Sequence, residues 1–428
     1  MKSYKELSRD ELLELQGALN KEYADAKSKG LSLNMARGKP SSEQLGFSMG
    51  IMDVLNSSSE LVSEDGTDCR NYGVLDGIPE AKRLMAGMVG TKSENMIVCG
   101  NASLPIMYDT VARSYAFGVC GGKPWCKQEH VKFLCPVPGY DRHFAITEQF
   151  GIEMINIPMH EDGPDMDLVE KYVENDSSVK GIWCVPKYSN PEGVSYSDEV
   201  VRRFAALKPA AEDFRIYWDN AYVMHHLYPD HPVEILDIIE ECEKAGNPDL
   251  VFEFCSTSKV TFSGSGVAAV ATSEKNRKWF KESMTIQTIG YDKINQLRHV
   301  RYFGDIEGMK AHMVKMANSL RPKFEAVHEV FEEELGGLEI GKWTDPKGGY
   351  FISFYTLPGC AKKVAAMCKE AGVTLTGAGS TYPYKKDPED SNIRIAPSFP
   401  TVEEMKLAAK LFALCVKLVS VEKLLEEK

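Results

Sequence analysis

Short apolar runs alternate with helical patterns between about residues 95 and 270 of the chain. Strands that alternate with helices in this way usually form a mostly parallel sheet with helices on both faces. We therefore predict an α/β fold whose large domain holds a mostly parallel seven-stranded sheet. The seven predicted strands are "MIVCG", "VKFLCPV", "IEMINIP", "GIWCVP", "FRIYWD", "LVFEFCS" and "GVAAVAT".

The pattern changes after about residue 305, where a long helical stretch precedes three more apolar runs. The runs "GGYFISFY", "GVTLTG" and "SNIRIAPSF" predict strands of one smaller sheet. A last helix is predicted to begin at Thr401, with Glu404 completing a capping box. We expect an N-terminal arm with part of the small domain in residues 1–70, a large domain in 71–305, and a small α+β domain in 306–428.

The charge and the cysteines limit the possible partners. The chain has 50 Lys and Arg against 62 Asp and Glu, a formal net charge of −12. Nucleic acids and anionic membranes favour a basic patch, so we expect neither as a partner. The eleven cysteines form no C-x-x-C pair and no Cys/His cluster, so we expect no metal site and a reducing, cytoplasmic location. The N-terminus is a charged amphipathic pattern without the apolar core of a signal peptide.

Polar segments follow five of the predicted strands. In open α/β sheets ligands bind at the carboxyl ends of the strands, so these segments are expected to converge on one site. Each segment alone is a weak signal, because polar residues are common at strand ends. The five segments are "NASLP", "PGYDRHF", "KYSNPEG", "NAY" and "TSKVTFSGSG".

Two charged residues in these segments suggest a cofactor. Lys259 is a single cation among small hydroxyl residues and glycines, between two apolar runs. It is either a solvated loop lysine or a reactive amine of the kind that binds pyridoxal phosphate (PLP) covalently. Asp219 ends an apolar strand, where it either caps a turn or pairs with the pyridine nitrogen of that cofactor.

The remaining segments offer hydrogen-bond donors. Asn190 lies in a Pro/Gly turn and is either an ordinary turn residue or a donor to a ligand, shared with Tyr222. The turn from Gly100 to Ser103 precedes a helix, with Ser103 as the expected N-cap, and its amides suit a phosphate. Arg394, between two isoleucines, needs either a substrate carboxylate or an internal salt bridge.

Taken in order, the motifs resemble those of the fold-type I PLP-dependent aminotransferases, and the resemblance covers nearly the whole chain. The matching motifs are "YSNPEG", "DNAY", "STSK", "KGGYFISF" and "IRIAPSF". The variants "MARGKPS", "PGYDRHF" and "STSKVTFSGSG" are similar to a bacterial aspartate aminotransferase-like subgroup. The resemblance implies the PLP-dependent transferase fold type I, with a large domain and a smaller α+β domain.

The resemblance also implies roles for residues around the cofactor ring. Lys259 attaches the cofactor and then carries a proton during the reaction. Asp219 pairs with the pyridine nitrogen, and Asn190 and Tyr222 hold the phenolate oxygen. Tyr140, in "PGYD", stacks on the ring.

At the phosphate, the resemblance implies contacts from Ser256, Ser258 and the turn Gly100, Asn101, Ala102 and Ser103. Tyr72, in "NYGVLDG", corresponds to a tyrosine that reaches the neighbouring subunit's phosphate, which implies a homodimer with shared active sites. In the family, an arginine seven or eight residues after the lysine binds the phosphate. Here the stretch "VTFSGSGV" contains no cation.

For the substrate, the resemblance implies that Arg394 binds the α-carboxylate, with Gly38 and Asn190 close to it. A dicarboxylic amino acid needs a second cation. We expect Arg142 in this role, with Arg37 as the other candidate. The alternative for each of these two residues is a surface arginine or a member of an internal ion pair.

The resulting expectation is an aminotransferase that moves an amino group from aspartate or glutamate to a 2-oxo acid such as 2-oxoglutarate. Two alternatives stay open at this point. One is another PLP-dependent reaction on the same fold, a β-lyase or a decarboxylase, since the cofactor supplies the electron sink in each case. The other is a non-catalytic effector-binding domain of a transcription regulator, which the acidic charge disfavours.

Overall fold

The computed structural model describes residues 2–428, in which helices surround one large sheet and two small ones. The helices are α1 Arg9–Ser28, α2 Ser42–Gly46, α3 Pro79–Val89, α4 Ser103–Phe117, α5 Asp141–Gln149, α6 Met166–Asn175, α7 Asp198–Ala205, α8 Ile238–Lys244, α9 Glu274–Gln287, α10 Lys293–Phe303, α11 Ile306–Leu335, α12 Ala361–Glu370 and α13 Val402–Glu427. Short 3-10 turns lie at Tyr4–Glu6, Met49–Met52, Ser93–Asn95, Trp125–Lys127 and Pro383–Lys385.

The strands include all seven that the sequence predicts for the large sheet. They are β1 Leu33–Asn34, β2 Met96–Val98, β3 Lys132–Val137, β4 Glu153–His160, β5 Gly163–Pro164, β6 Val179–Cys184, β7 Arg215–Asp219, β8 Val251–Ser256, β9 Ala268–Ala271, β10 Gly341–Trp343, β11 Ile352–Thr356, β12 Val373–Thr374 and β13 Asn392–Ile395.

The large sheet has the strand order β2-β9-β8-β7-β6-β3-β4-β5. Strands β8, β7, β6, β3 and β4 run parallel, while β9 pairs antiparallel with β8 and with β2. The sheet therefore has eight strands and not the predicted seven. The extra strand, β5, is a two-residue antiparallel partner at the edge of β4, too short to show a periodic pattern in the sequence.

The central strands are buried on both faces, which explains why they read as continuous apolar runs. Every residue of β6, β7 and β8 is buried. Helix α7 covers one face with Val200, Val201 and Phe204. Because the parallel strands end on the same side, β7 and β8 deliver Asp219 and the turn after Ser256 to one edge of the sheet.

The smaller sheets correct one expectation. Strands β10, β11 and β13 form an antiparallel sheet, in which Ser353 lies opposite Arg394. The run "GVTLTG" does not join it: its strand β12 pairs in parallel with β1, from the N-terminal part of the chain. Buried residues of the N-terminal arm, such as Leu12 and Leu19, pack with those of α11 and α13. The domain boundaries at residues 70 and 305 stay a prediction.

The two predicted helix starts have different outcomes. Thr401 is the N-cap of α13 and forms the expected capping box with Glu404. Ser103, however, is the first residue of α4, and the extended residue Ala102 occupies the N-cap position. No side chain caps this helix start in the part of the chain that the structure describes. The first-turn amides are therefore left for another acceptor.

Within residues 2–428, no helix combines the length and the apolar character needed to cross a membrane.

Candidate active site

Asp219 lies at the carboxyl end of β7 and is only 2% exposed. Its Oδ2 atom is 2.9 Å from Nε2 of His143, which holds the carboxylate in place. Its Oδ1 atom is buried and has no hydrogen-bond partner. Since a buried carboxylate oxygen without a partner is unfavourable, this atom is suited to a cationic nitrogen of a ligand.

His143 is a functional residue that the sequence reasoning missed. Its ring stacks on Trp183, with centroids 4.4 Å apart and an angle of 10° between the planes. It also meets Tyr140 edge-on, at 4.9 Å. A signal existed in "PGYDRHF": on helix α5, His143 lies one turn after Tyr140 and points to the same face as the buried Phe144 and Thr147.

Lys259 lies in the turn that follows β8, and its side chain reaches the same edge of the sheet. Its Nζ atom is 4.9 Å from the centre of the Tyr222 ring. Its carbonyl oxygen accepts a hydrogen bond from Nε2 of His225, at 3.3 Å. Burial, and secondarily the charge of Lys259, lowers the pKa of His225 to about 3, so this histidine is neutral. Burial raises the pKa of Tyr222 well above its usual value, so the phenol is also neutral.

Tyr140 stands at the N-cap of α5, beside this group. Burial raises its pKa to about 12, while the charge of Lys259 acts in the opposite direction. The charges of Lys259 and Tyr222 both act on the pKa of Tyr140, so the three side chains are close in space. The predicted ring-stacking tyrosine, the predicted phenolate donor and the predicted anchor lysine are close together.

Arg394 connects the small-domain sheet to this edge. Its Nη1 atom donates to Oδ1 of Asp141 at 2.9 Å and to Oδ1 of Asn190 at 3.2 Å. Asn190 also lies beside the Tyr222 side chain, whose pKa it lowers against the larger effect of burial. The internal salt bridge that the sequence left open is therefore present, and it uses Nη1 alone. The Nη2 atom donates a long hydrogen bond to the Thr376 hydroxyl, at 3.4 Å. The Nε atom of Arg394 is buried and without a partner.

Phe351 and Gly38 form the wall behind this arginine. The guanidinium carbon lies 4.9 Å from the centre of the Phe351 ring. A Cβ atom at position 38 would overlap that ring, so only glycine lets the "MARGKPS" segment approach so closely. Gly38 and Arg394 therefore both contact the Phe351 ring, and Gly38 lies near Arg394, as expected from the resemblance.

The predicted phosphate-binding residues form a cradle of hydroxyls and amides. The Ser256 and Ser258 hydroxyl groups are 3.0 Å apart. A Cβ atom at position 266 would lie 2.9 Å from the Asn101 carbonyl oxygen and 3.3 Å from the Ser258 amide nitrogen. Gly266, which is seven residues after Lys259, therefore allows the lysine turn to touch the uncapped start of α4. The stretch after Lys259 thus brings its backbone close to the start of α4, where the family has a cation.

Three other predicted residues are not brought into the cluster by this chain. Tyr72 is 80% exposed. Arg142, in the first turn of α5, and Arg37 are both exposed. Among residues 2–428, neither guanidinium forms a hydrogen bond or an ion pair. The roles of all three stay predictions.

The chain thus joins a mostly parallel sheet, a lysine turn at its carboxyl edge, a buried aspartate with an unpaired oxygen and an arginine from a smaller domain. This combination defines the class of fold-type I aminotransferases. Comparison with known proteins identifies the family: residues 7–428 match the model described as "Aspartate amino-transferase". The chain belongs to this family, and the expected transaminase activity is confirmed.

Two relatives and one more distant structure illustrate the match. The aspartate aminotransferase of Corynebacterium glutamicum is 49% identical over 405 residues, covering 94% of this chain and 93% of its own. A crystal structure of an aspartate transaminase from the same organism superposes with a TM-score of 0.96 at 47% identity, covering 99% of both chains. The α-aminoadipate aminotransferase of Thermus thermophilus shares the fold at 17% identity, with a TM-score of 0.73 over 95% of this chain and 96% of its own.

Proposed function

We propose that this aminotransferase uses PLP to move an amino group from aspartate or glutamate to a 2-oxo acid such as 2-oxoglutarate. The observation that carries the proposal is Arg394, with its buried, unpaired Nε beside Asn190 and Tyr222. A guanidinium edge in this state suits the two oxygens of an α-carboxylate, since arginine binds carboxylates through parallel hydrogen bonds.

The residues of the site fit PLP. The unpaired Oδ1 of Asp219 suits a protonated pyridine nitrogen, and Asn190 with Tyr222 suits a phenolate oxygen. The cradle of Ser256, Ser258 and the start of α4 suits a phosphate through hydroxyls, amides and the positive end of a helix. When bound, the cofactor supplies an electron sink for the substrate's α-carbon.

The chain's own residues bind and orient the substrate and move its proton. Arg394 fixes the α-carboxylate, and its ion pair with Asp141 keeps the guanidinium from turning away. The Lys259 amine, close to Tyr222, first acts as a general base that takes the proton from the α-carbon. It then acts as a general acid that donates the proton again. The buried surroundings of Asp219 keep water away from its carboxylate, which strengthens the contact with a cation.

For the side-chain carboxylate we propose Arg142, with Arg37 as the second candidate. Arg142 follows Tyr140 by two residues and its charge is not neutralised within the described chain. The Corynebacterium glutamicum relative, named an aspartate aminotransferase, supports an acidic amino donor. We also propose a homodimer in which Tyr72 serves the partner's phosphate site, and a cytoplasmic location, in keeping with the scattered cysteines.

The test is a panel of amino donors with purified protein and 2-oxoglutarate: aspartate, glutamate, alanine, leucine and phenylalanine. We expect the highest kcat/KM for aspartate or glutamate. A higher value for phenylalanine would overturn the substrate assignment. Pyruvate and ammonia released from serine in the absence of a 2-oxo acid would instead identify a β-lyase, and carbon dioxide released from aspartate or glutamate would identify a decarboxylase.

A further inference from the structure

A cavity of about 380 Å³ lies outside the candidate active site. It is bounded by the end of α3, the first half of α11 and the segment that follows Tyr222. Most of its lining residues are apolar, and they include Met88, Val223, Met224, Met313 and Val314. Its size is in the range of cavities that bind small organic molecules.

Lys187 lines this cavity and is the unusual feature in it. The residue is only 3% exposed, yet its Nζ atom forms no hydrogen bond and no ion pair with any residue from 2 to 428. Burial lowers the pKa of this amine to about 8. The Nζ atom lies 5.8 Å from the centre of the Tyr188 ring but has no anionic partner. A largely buried ammonium without a counter-charge is disfavoured in proteins, so an anion placed beside it would be stabilised.

The other polar groups around the cavity do not neutralise Lys187. Lys310 is exposed and already pairs with Glu307, at 2.8 Å. Nδ1 of His226 is 2.6 Å from the Tyr188 hydroxyl, and burial lowers the pKa of His226 to about 4, so it is neutral. Glu234 is exposed at the rim and raises the pKa of Lys187 through its charge, but does not form an ion pair with it.

We propose that this cavity binds a small organic monocarboxylate with an apolar body, whose carboxylate pairs with Lys187 and whose body packs on the methionines and valines. An apolar ligand alone would leave the lysine without a partner. A small inorganic anion would leave the apolar walls in contact with water.

The cavity is next to the active site but separate from it. Lys187 is three residues before Asn190, and Val223 directly follows Tyr222. The neighbouring segment also contacts the small domain, because the Gly349 amide donates to the His225 carbonyl at 2.8 Å. A molecule in the cavity therefore contacts the segments that carry Asn190 and Tyr222, at Lys187, Val223 and Met224.

The test uses hexanoate as the probe and calorimetric titration of the PLP-loaded enzyme. Succinate is kept at a saturating concentration so that one of its carboxylates occupies Arg394 and hexanoate cannot bind there. We expect hexanoate still to bind, and 1-hexanol, of the same length without the charge, to bind about tenfold more weakly or worse. If succinate displaces hexanoate, if hexanol binds equally well, or if hexanoate does not bind at millimolar concentration, the proposal is wrong.

Variants at the cavity sharpen the test. Lys187→Met keeps the length and removes the charge, so we expect it to weaken hexanoate binding about tenfold or more. Lys310→Gln is the matched control: it removes an already paired lysine of the same cavity and should leave binding unchanged. Glu234→Gln removes a nearby negative charge and should tighten binding. Equal affinity of wild type and Lys187→Met would refute the assignment, and the hexanol comparison decides the question if that variant does not fold.

Discussion

The two ends of the active site are built in different ways. One end, which we propose holds the pyridine ring and call the pyridine end, is defined by Asp219, His143 and Trp183. Its groups are buried and held by direct contacts. The other end, which we propose holds the phosphate and call the phosphate end, is defined by Gly100–Ser103, Ser256, Ser258 and Gly266. Here hydroxyls and amides form an open cradle, and the stretch "VTFSGSGV" after Lys259 contains no lysine or arginine. The pyridine end is thus complete within one chain, whereas the phosphate end relies on weaker, more exposed groups.

Because the two ends differ in burial, substitutions at each end should have different effects on the enzyme. Electrostatic contacts are strong where water is excluded and weak where it is present. Changes at the pyridine end should therefore reduce the rate of the chemical step. Changes at the phosphate end should mainly weaken retention of the cofactor.

The largest effect is expected at Lys259, which lies between the two ends. Lys259→Ala removes the amine that binds the cofactor covalently and moves the proton, so we expect kcat to fall by about 10⁴-fold. After borohydride reduction, mass spectrometry should show the cofactor's added mass on wild type and not on this variant. Lys187→Met, which removes a different lysine amine, is the matched control and should keep the adduct. A covalent adduct retained by Lys259→Ala would exclude Lys259 as the anchor.

The next effect tests the pyridine end directly. Asp219→Ala should fold and bind PLP but lose on the order of a hundredfold or more in single-turnover rate, because the unpaired carboxylate oxygen no longer faces the ring nitrogen. Asp219→Glu keeps the charge and should recover part of the rate. A near wild-type rate for the alanine variant would remove Asp219 from the mechanism.

His143 is a positioning residue, and its effect should be smaller. His143→Leu removes the 2.9 Å contact that orients Asp219, which should cost about tenfold in kcat. His143→Gln can still donate to the carboxylate and should recover most of that loss. If both variants lose kcat equally, or if the loss is in thermal stability alone, the histidine supports packing on Trp183 and does not position the aspartate.

At the phosphate end, Tyr72 tests whether a second subunit completes the cradle. Tyr72→Phe should raise the Kd of PLP by about tenfold while leaving kcat at saturating PLP nearly unchanged. Phe117→Tyr changes another exposed aromatic residue in the reverse sense and serves as a control for surface effects. A monomer that keeps full activity at nanomolar dilution would show that Tyr72 has no partner site to serve.

The same contrast explains what could be predicted from the sequence. The anchor lysine, Asp219 and Arg394 stand in short local motifs at strand ends, and a parallel sheet brings such ends together. His143 was missed because its role depends on contacts with β6 and β7, whereas the local spacing in "PGYDRHF" indicates only which face of α5 it occupies. The pairing of β12 with β1 was missed for a similar reason, since it joins segments more than 300 residues apart and each contributes only two residues. The N-cap of α4 was misplaced by one residue because Ser103 has the preferred side chain but Ala102 has the extended backbone.

The smallest effect is expected at Arg142, because this residue is exposed and solvent weakens its attraction for a carboxylate. Arg142→Leu should lower kcat/KM for aspartate by about three- to tenfold, less than the full contribution of a buried charged hydrogen bond, and leave the value for alanine unchanged. Arg37→Leu is the matched control, since it removes the other exposed arginine that forms no ion pair within residues 2–428. A loss of aspartate specificity in Arg37→Leu but not in Arg142→Leu would move the side-chain carboxylate to Arg37. Equal losses for aspartate and alanine in Arg142→Leu would mean that this arginine supports the first turn of α5. Arg37 would then become the next candidate for the side-chain carboxylate.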